Sequence, residues 1–176
     1  MEHKKNELRL DNVVNPPSFL LHYEFFCIAW DYKHEGFFLD PVEGYISKYK
    51  NPKDLNIKWN YYYSSEEYSN PLPWGYETDG VITKKNLLEN INNFKKMAIE
   101  PSMNNININL IKQSLDEAGY DHQGEMYDFG VYSFSIYIYE PTKDEYRRHL
   151  IKSYGDKSLI SKSPFTSELL SYFPNT

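Results

Sequence analysis

The sequence predicts an α+β fold, a single domain with an antiparallel or mixed β-sheet and helices packed on one side. Three observations lead there. Phe129 to Tyr139 alternates apolar and polar residues as a strand does, and the segment after Thr83 repeats its apolar residues at helical spacing. Read along the chain, the elements fall in the order β, β, β, α, α, β, α, α, which suits a sheet with its helices gathered on one face.

Met1 to Pro17 is charged and then turn-like, ending in Asn15, Pro16 and Pro17, and reads as an arm leading into a domain of residues 18–176. From Phe19 to Trp30 the pattern becomes that of a strand. Phe19, Leu21, Tyr23, Phe25, Cys27 and Ala29 form a wholly apolar side, while Leu20, His22, Glu24, Phe26, Ile28 and Trp30 form a mixed side expected to meet solvent. Lys33 to Gly36 then turns the chain into a second short strand at Phe37 to Leu39, closed by Asp40 and Pro41. Ile57 to Tyr63 is again rich in β-formers, and a polar loop follows through Pro71, Pro73 and Gly75.

Thr83 is placed as the N-cap of a helix over Lys84 to Ile99, with Leu87, Leu88, Ile91, Phe94 and Ala98 on one stripe and Pro101 as its stop. A second helix spans Ile108 to Ala118, its stripe being Ile108, Ile111, Leu115 and Ala118, and Gly119 ends it. In the strand that follows, Tyr132, Phe134, Ile136 and Ile138 share the face expected to lie beneath the first helix. Thr142 and Glu145 have the spacing of a capping box, predicting a third helix from Lys143 to Tyr154. Ser163 and Pro164 start a short final helix through Leu169 and Leu170.

With 176 residues, 40% of them hydrophobic, the chain can bury a core without metals or disulfides. Its densest apolar stretch, Phe25 to Trp30, falls far short of the roughly 18 residues that a membrane span needs. No apolar segment follows Lys4, Lys5 and Arg9, so an ordinary secretory signal is not expected and the protein should be cytoplasmic. The single cysteine, Cys27, is expected to be a small buried hydrophobe, and zinc ribbons, CxxC redox sites and iron–sulfur clusters all require more.

The known catalytic signatures fail residue by residue. Gly119 and Gly124 match the glycines of a phosphate-binding loop, but Glu125 and Met126 stand where lysine and a hydroxyl are needed, and the acidic residue would repel a phosphate. His22 and Glu24 resemble half of a zinc deaminase motif whose second half requires two cysteines. Asp121 beside His122 in a glycine-flanked loop is the best pairing for a general base and its orienter, although sequence neighbours seldom meet in that way. His34 is expected in a turn and His149 on a helix surface beside Arg147 and Arg148.

Charge is the more informative signal. A net charge of -6 argues against a nucleic-acid partner, because phosphate binding depends on lysine and arginine. From Trp59 to Thr83 there is no lysine or arginine, while Glu66, Glu67, Glu77 and Asp79 are acidic, and from Gln113 to Thr142 there is again neither against Asp116, Glu117, Asp121, Glu125, Asp128 and Glu140. These ten carboxylates leave the remainder of the chain at +4, so the acidity is held in two blocks. The 17 tyrosines are more than one core absorbs with every hydroxyl satisfied, and both blocks carry them, among them Tyr68, Tyr76 and Tyr120. Tyrosine gives large contact area at low entropic cost, and carboxylates around it steer a basic partner.

A small, acidic, tyrosine-rich α+β domain without catalytic motifs resembles the immunity proteins of bacterial polymorphic or contact-dependent toxin systems. The resemblance lies in overall character and not in an aligned motif. It implies a cytoplasmic antitoxin that neutralises a cognate basic protein toxin domain, such as a nuclease, by occluding its active site. Glu66, Glu67, Tyr68, Tyr76, Glu77, Asp79, Asp116, Glu117, Tyr120, Asp121, Glu125 and Asp128 are the expected contact residues, with no cofactor and no membrane or nucleic acid involved. The competing expectations are a hydrolase or transferase built on loop carboxylates with His122 or a divalent metal, and a scaffold or phage accessory protein.

Overall fold

A computed structural model describes residues 16–27, 33–50, 79–102, 106–124, 130–155 and 158–174, with only the backbone of Asp79 placed. Pairing among the described residues is antiparallel. The first hairpin joins β1 (Phe19–Cys27) to β2 (Lys33–Asp40), with Leu21 opposite Leu39 and Phe25 opposite Glu35. A turn whose left-handed Gly44 (φ 82°) has no room for a side chain leads into β3 (Tyr45–Lys50). Next come β4 (Asp79–Thr83), α1 (Lys84–Asn92) and β5 (Lys95–Ala98), followed by α2 (Ile108–Ala118) and β6 (Tyr120–His122). The chain closes with β7 (Val131–Glu140), β8 (Glu145–Gly155), β9 (Leu159–Ser161) and α3 (Thr166–Ser171). Among the described residues these make one nine-stranded sheet in the order β5-β3-β2-β1-β7-β8-β9-β6, with β4 also paired to β8.

The α+β class and the single antiparallel sheet agree with the sequence, and β7 is central, flanked by β1 and β8. The helices do not share one side. Ile111 and Leu115 of α2 and Leu169 of α3 pack with Phe19, Leu21, Phe37, Leu39, Ile136 and Ile138 on one face. Leu87, Leu88 and Ile91 of α1 pack with Leu20, Phe38, Tyr49, Tyr137 and Tyr146 on the other. Ile136 and Ile138 are therefore buried beneath α2 and α3 rather than α1, with Phe134 partly buried at the same cluster and Tyr132 half-buried. The sheet is covered from both sides, and so both residue sets of β1 lie inside.

Two predicted helices need correction. Thr83 does cap α1, accepting a bond from the Asn86 amide at 3.2 Å, but the helix ends at Asn92 and residues 95–98 form β5. The segment from Lys143 to Tyr154 is almost entirely strand β8, because Pro141 to Asp144 form the turn of a long hairpin with β7. Asp144 sits there at φ 52° and accepts bonds from Tyr139 and Lys84 that hold the turn. The second and final helices stand close to prediction, with Asn107 capping α2 through the Leu110 amide. Cys27, expected to be buried, is half-buried at the end of β1. The predicted strand at Ile57 to Tyr63 and most of the arm lie outside the described residues. No helix among the described residues is long and apolar enough to cross a membrane.

Burial on two faces makes each helix a necessary cover. Leu87→Ala and Ile111→Ala should each cost about 2–5 kcal/mol, the usual price of emptying a packed site, seen as a lower denaturant midpoint at unchanged slope. A loss under about 0.5 kcal/mol at either position would mean that helix is not seated on the sheet.

Candidate functional site

The face of the sheet beneath α1 carries a polar cluster at strand positions whose side chains alternation points inward. Glu24 and His22 are fully buried, and His34, Tyr49 and Arg148 are nearly so. This corrects the expectation that His22 and Glu24 are exposed strand residues and that His34 lies on a surface turn. His34 Nε2 lies 2.6 Å from Glu24 Oε2, His22 Nε2 lies 2.8 Å from Tyr49 Oη, and Tyr49 Oη donates to Glu24 Oε2 at 3.4 Å. One proton assignment serves all three contacts: His22 Nε2–H donates to Tyr49, Tyr49 donates to Glu24, and His34 Nε2–H donates to Glu24.

Gly36 makes this arrangement possible. It lies opposite Glu24 in the register, and a Cβ there would stand 2.1 Å from the Tyr23 carbonyl oxygen and 2.7 Å from Tyr49 Oη. Without a side chain at that position, the Tyr49 ring crosses from β3 over β2 to reach β1. His22 also stacks on Phe38 at 4.1 Å between ring centroids, so the polar chain is set in aromatic packing.

Burial pushes the His22 imidazolium well below the ordinary histidine range, and the positive fields of Arg148 and His34 add to it. The Tyr49 phenol is pushed well above its ordinary value by burial first and then by the Glu24 carboxylate. Both groups are held neutral. A general base must reach the proton it removes, and Glu24 and His22 present no exposed surface to a substrate. The cluster instead ties three strands together through side chains.

The other sequence candidates lie elsewhere. Glu66, Glu67, Tyr68, Tyr76, Glu77, Glu125 and Asp128 fall outside the described residues, and Asp79 is the first residue of β4. Asp116 and Glu117 lie in the last turn of α2, and Tyr120 and Asp121 in the edge strand β6 that follows it, so the four fall within one short segment at the edge of the sheet. Asp116 lies 3.3 Å from His149 Nδ1, Glu117 accepts from Gln113 at 3.1 Å, and Asp121 lies 3.5 Å from Lys162. Tyr120 donates to the Leu150 carbonyl at 2.7 Å, which fixes its half-buried ring against the sheet. Glu140, counted with the second acidic block, is bound to Lys112 at 2.8 Å and faces Arg147 at 3.5 Å.

Asp121 and His122 are successive residues of β6, so their side chains leave on opposite sides and do not make a base with its orienter. His149, expected on a helix surface, is a buried residue of β8 whose partner Asp116 comes from α2. A void of about 10 Å³ lined by Leu20, Phe38, Asp40, Tyr45, Ser47 and Ile91 has room for one water at most. The described residues contain no group of three or more metal-binding side chains. Comparison with models of known protein families, with curated proteins and with solved structures finds no match to this chain.

The buried cluster ties stability to pH. A histidine whose folded pKa is depressed binds its proton more readily unfolded, so its contribution is complete above 6.5 and drains away as pH falls below that value. His22→Phe keeps the stack on Phe38 and should make the acid limb of the stability curve shallower than the parent's. Identical slopes in chemical denaturation from neutral to acid pH would remove His22 from that role. Gly36→Ala should cost more than about 3 kcal/mol, since its Cβ meets fixed backbone as well as Tyr49. A thermal midpoint within a few degrees of the parent's would contradict that packing.

Proposed function

We propose that the chain is a binding protein that neutralises a basic protein toxin, a nuclease domain being one candidate class, by covering its active site in the manner of bacterial immunity proteins. One observation supports this reading above the others. Asp116, Glu117 and Asp121 are all exposed in the segment where α2 ends, and no basic residue occupies the last turn of that helix. The C-terminal end of a helix already carries partial negative charge, so carboxylates there typically cost about 0.3–1 kcal/mol rather than stabilise it. Their placement adds negative charge at one edge of the molecule, partly offset at Asp121 by Lys162.

Such a field steers a basic partner into encounter and repels acidic ones. Tyr120, held against the sheet by its bond to Leu150, supplies a rigid aromatic side chain in the same segment at little entropic cost on binding. The deep burial of Glu24, His22 and His34 favours a binding role over hydrolysis, since the groups best suited to acid–base work are closed off.

The test is kinetic and uses the partner that co-purifies with the chain. Asp116→Asn, Glu117→Gln and Asp121→Asn combined should slow association about tenfold at low salt, with the difference shrinking as screening grows. Thermal stability should change little, because exposed substitutions usually stay within about 0.5 kcal/mol. Equal association rates at low salt, or a co-purifying partner that is not basic, would remove the support for this reading.

A further inference from the structure

The opposite edge of the described sheet is an exposed strand. All four residues of β5 are exposed, and β5 ends the strand order, with only β3 beside it among the described residues. Ladder alternation fixes which backbone groups face outward. The Ile99 amide donates to the Gly44 carbonyl at 2.8 Å, so the amides of Lys95, Met97 and Ile99 turn toward β3, while those of Lys96, Ala98 and Glu100 turn away. Apolar surface gathers at the same place. Of the six large hydrophobic residues exposed among the described ones, Val42, Tyr45, Met97 and Ile99 lie along this edge.

We propose that two copies of this chain associate through antiparallel pairing of β5 with β5 across a two-fold axis at Ala98, joining their sheets into one. The two edges exchange hydrogen bonds in any register whose axis falls on a residue rather than between two, because outward-facing residues then meet outward-facing residues; of these, centring on Met97 or Ile99 sets neither Lys96 nor Glu100 opposite an opposite charge and gains no cross-axis ion pair. Centring on Lys96 sets lysine opposite lysine, and centring on Glu100 sets glutamate opposite glutamate, both unfavourable across a strand pair. The Ala98 register has neither fault. It places Lys96 opposite Glu100 of the second copy twice over, Met97 opposite Ile99 on the other face, and the small Ala98 opposite itself.

Pro101 fits the same register. It falls opposite Lys95, at a position whose amide would face β3, so its missing N–H costs the pairing nothing. Tyr45, opposite Ala98 on β3, stands one strand back from the axis, with Lys96 Nζ 4.1 Å from its ring centroid. That stacking holds the lysine close to where Glu100 of the second copy would arrive. A lone edge strand with lysines usually guards against pairing. Here Glu100, four residues on, turns the guard into a selection for one register.

Sedimentation of the parent chain over a range of concentrations should show a reversible monomer–dimer equilibrium. Lys96→Glu and Glu100→Lys should each weaken dimerisation about tenfold or more, and the two together should restore it, because the swap recreates both cross-axis pairs. Ala98→Pro removes the amide used at the axis while leaving the β3 ladder intact, and it should abolish the dimer. A parent that stays monomeric at its highest soluble concentration overturns the proposal. So does a dimer indifferent to the single charge reversals. Should Ala98→Pro fail to fold, the charge swap decides alone, and neither outcome bears on the acidic segment at β6.

Discussion

Burial of β1 on both faces is the constraint from which the rest of the structure follows. An antiparallel strand with one face in water can place its polar residues there at no cost, whereas one covered on both sides must satisfy every polar group internally. Leu20, His22 and Glu24 share the face under α1, and Phe19, Leu21 and Tyr23 share the face packed by α2 and α3. A buried carboxylate that lost its donors would cost several kcal/mol, so Glu24 demands His34 from β2 and Tyr49 from β3. Those demands fix the register of three strands, and Gly36 is the residue that leaves room for them.

The errors in reading the elements share one physical cause. Tyr146, Leu150 and Tyr154 are four residues apart, a spacing that one face of a helix and one face of a strand both allow, so period alone could not separate them. Thr142 and Glu145 then favoured the helix locally, but ten paired positions with β7 outweighed that preference. In the same way Leu87, Leu88 and Ile91 form the helical stripe, while Phe94 and Ala98 lie past the helix end, Phe94 still packed with the stripe and Ala98 in β5. The strands missed outright, β3, β4, β6 and β9, are three to six residues long and owe their form to neighbours. Local patterning showed where the hydrophobic stripes lie, while pairing decided what they became.

The buried cluster was visible in part. His22 and Glu24 fall on the mixed side of β1, and the error was to give that side to solvent. Had the clean alternation of Phe19 to Cys27 been weighed with a helix on each face of the sheet, a polar interior would have followed, with His34 and Tyr49 as donors within reach by hairpin register. The acidic segment was legible for a different reason. Asp116, Glu117, Tyr120 and Asp121 are close in sequence, so any folding of the segment keeps them together, and the structure adds the helix end beneath them.

The two edges of the sheet then have different physical characters. At β6 and the end of α2 the exposed residues are Asp116, Glu117, Asp121 and His122 beside a half-buried Tyr120, and at β5 they are lysines, a glutamate and apolar residues whose order is self-complementary about Ala98. Neighbouring strands lie about 4.8 Å apart, which sets β5 and β6 roughly 34 Å from each other along the path of the sheet. Pairing two copies through β5 would leave both acidic segments free at the far ends of the joined sheet. Such a dimer presents two binding segments too widely spaced to engage one small domain together, so each copy would meet its own partner. Affinity for a monomeric basic partner would then be unchanged by dimerisation, and avidity would arise only toward a partner that is itself multivalent.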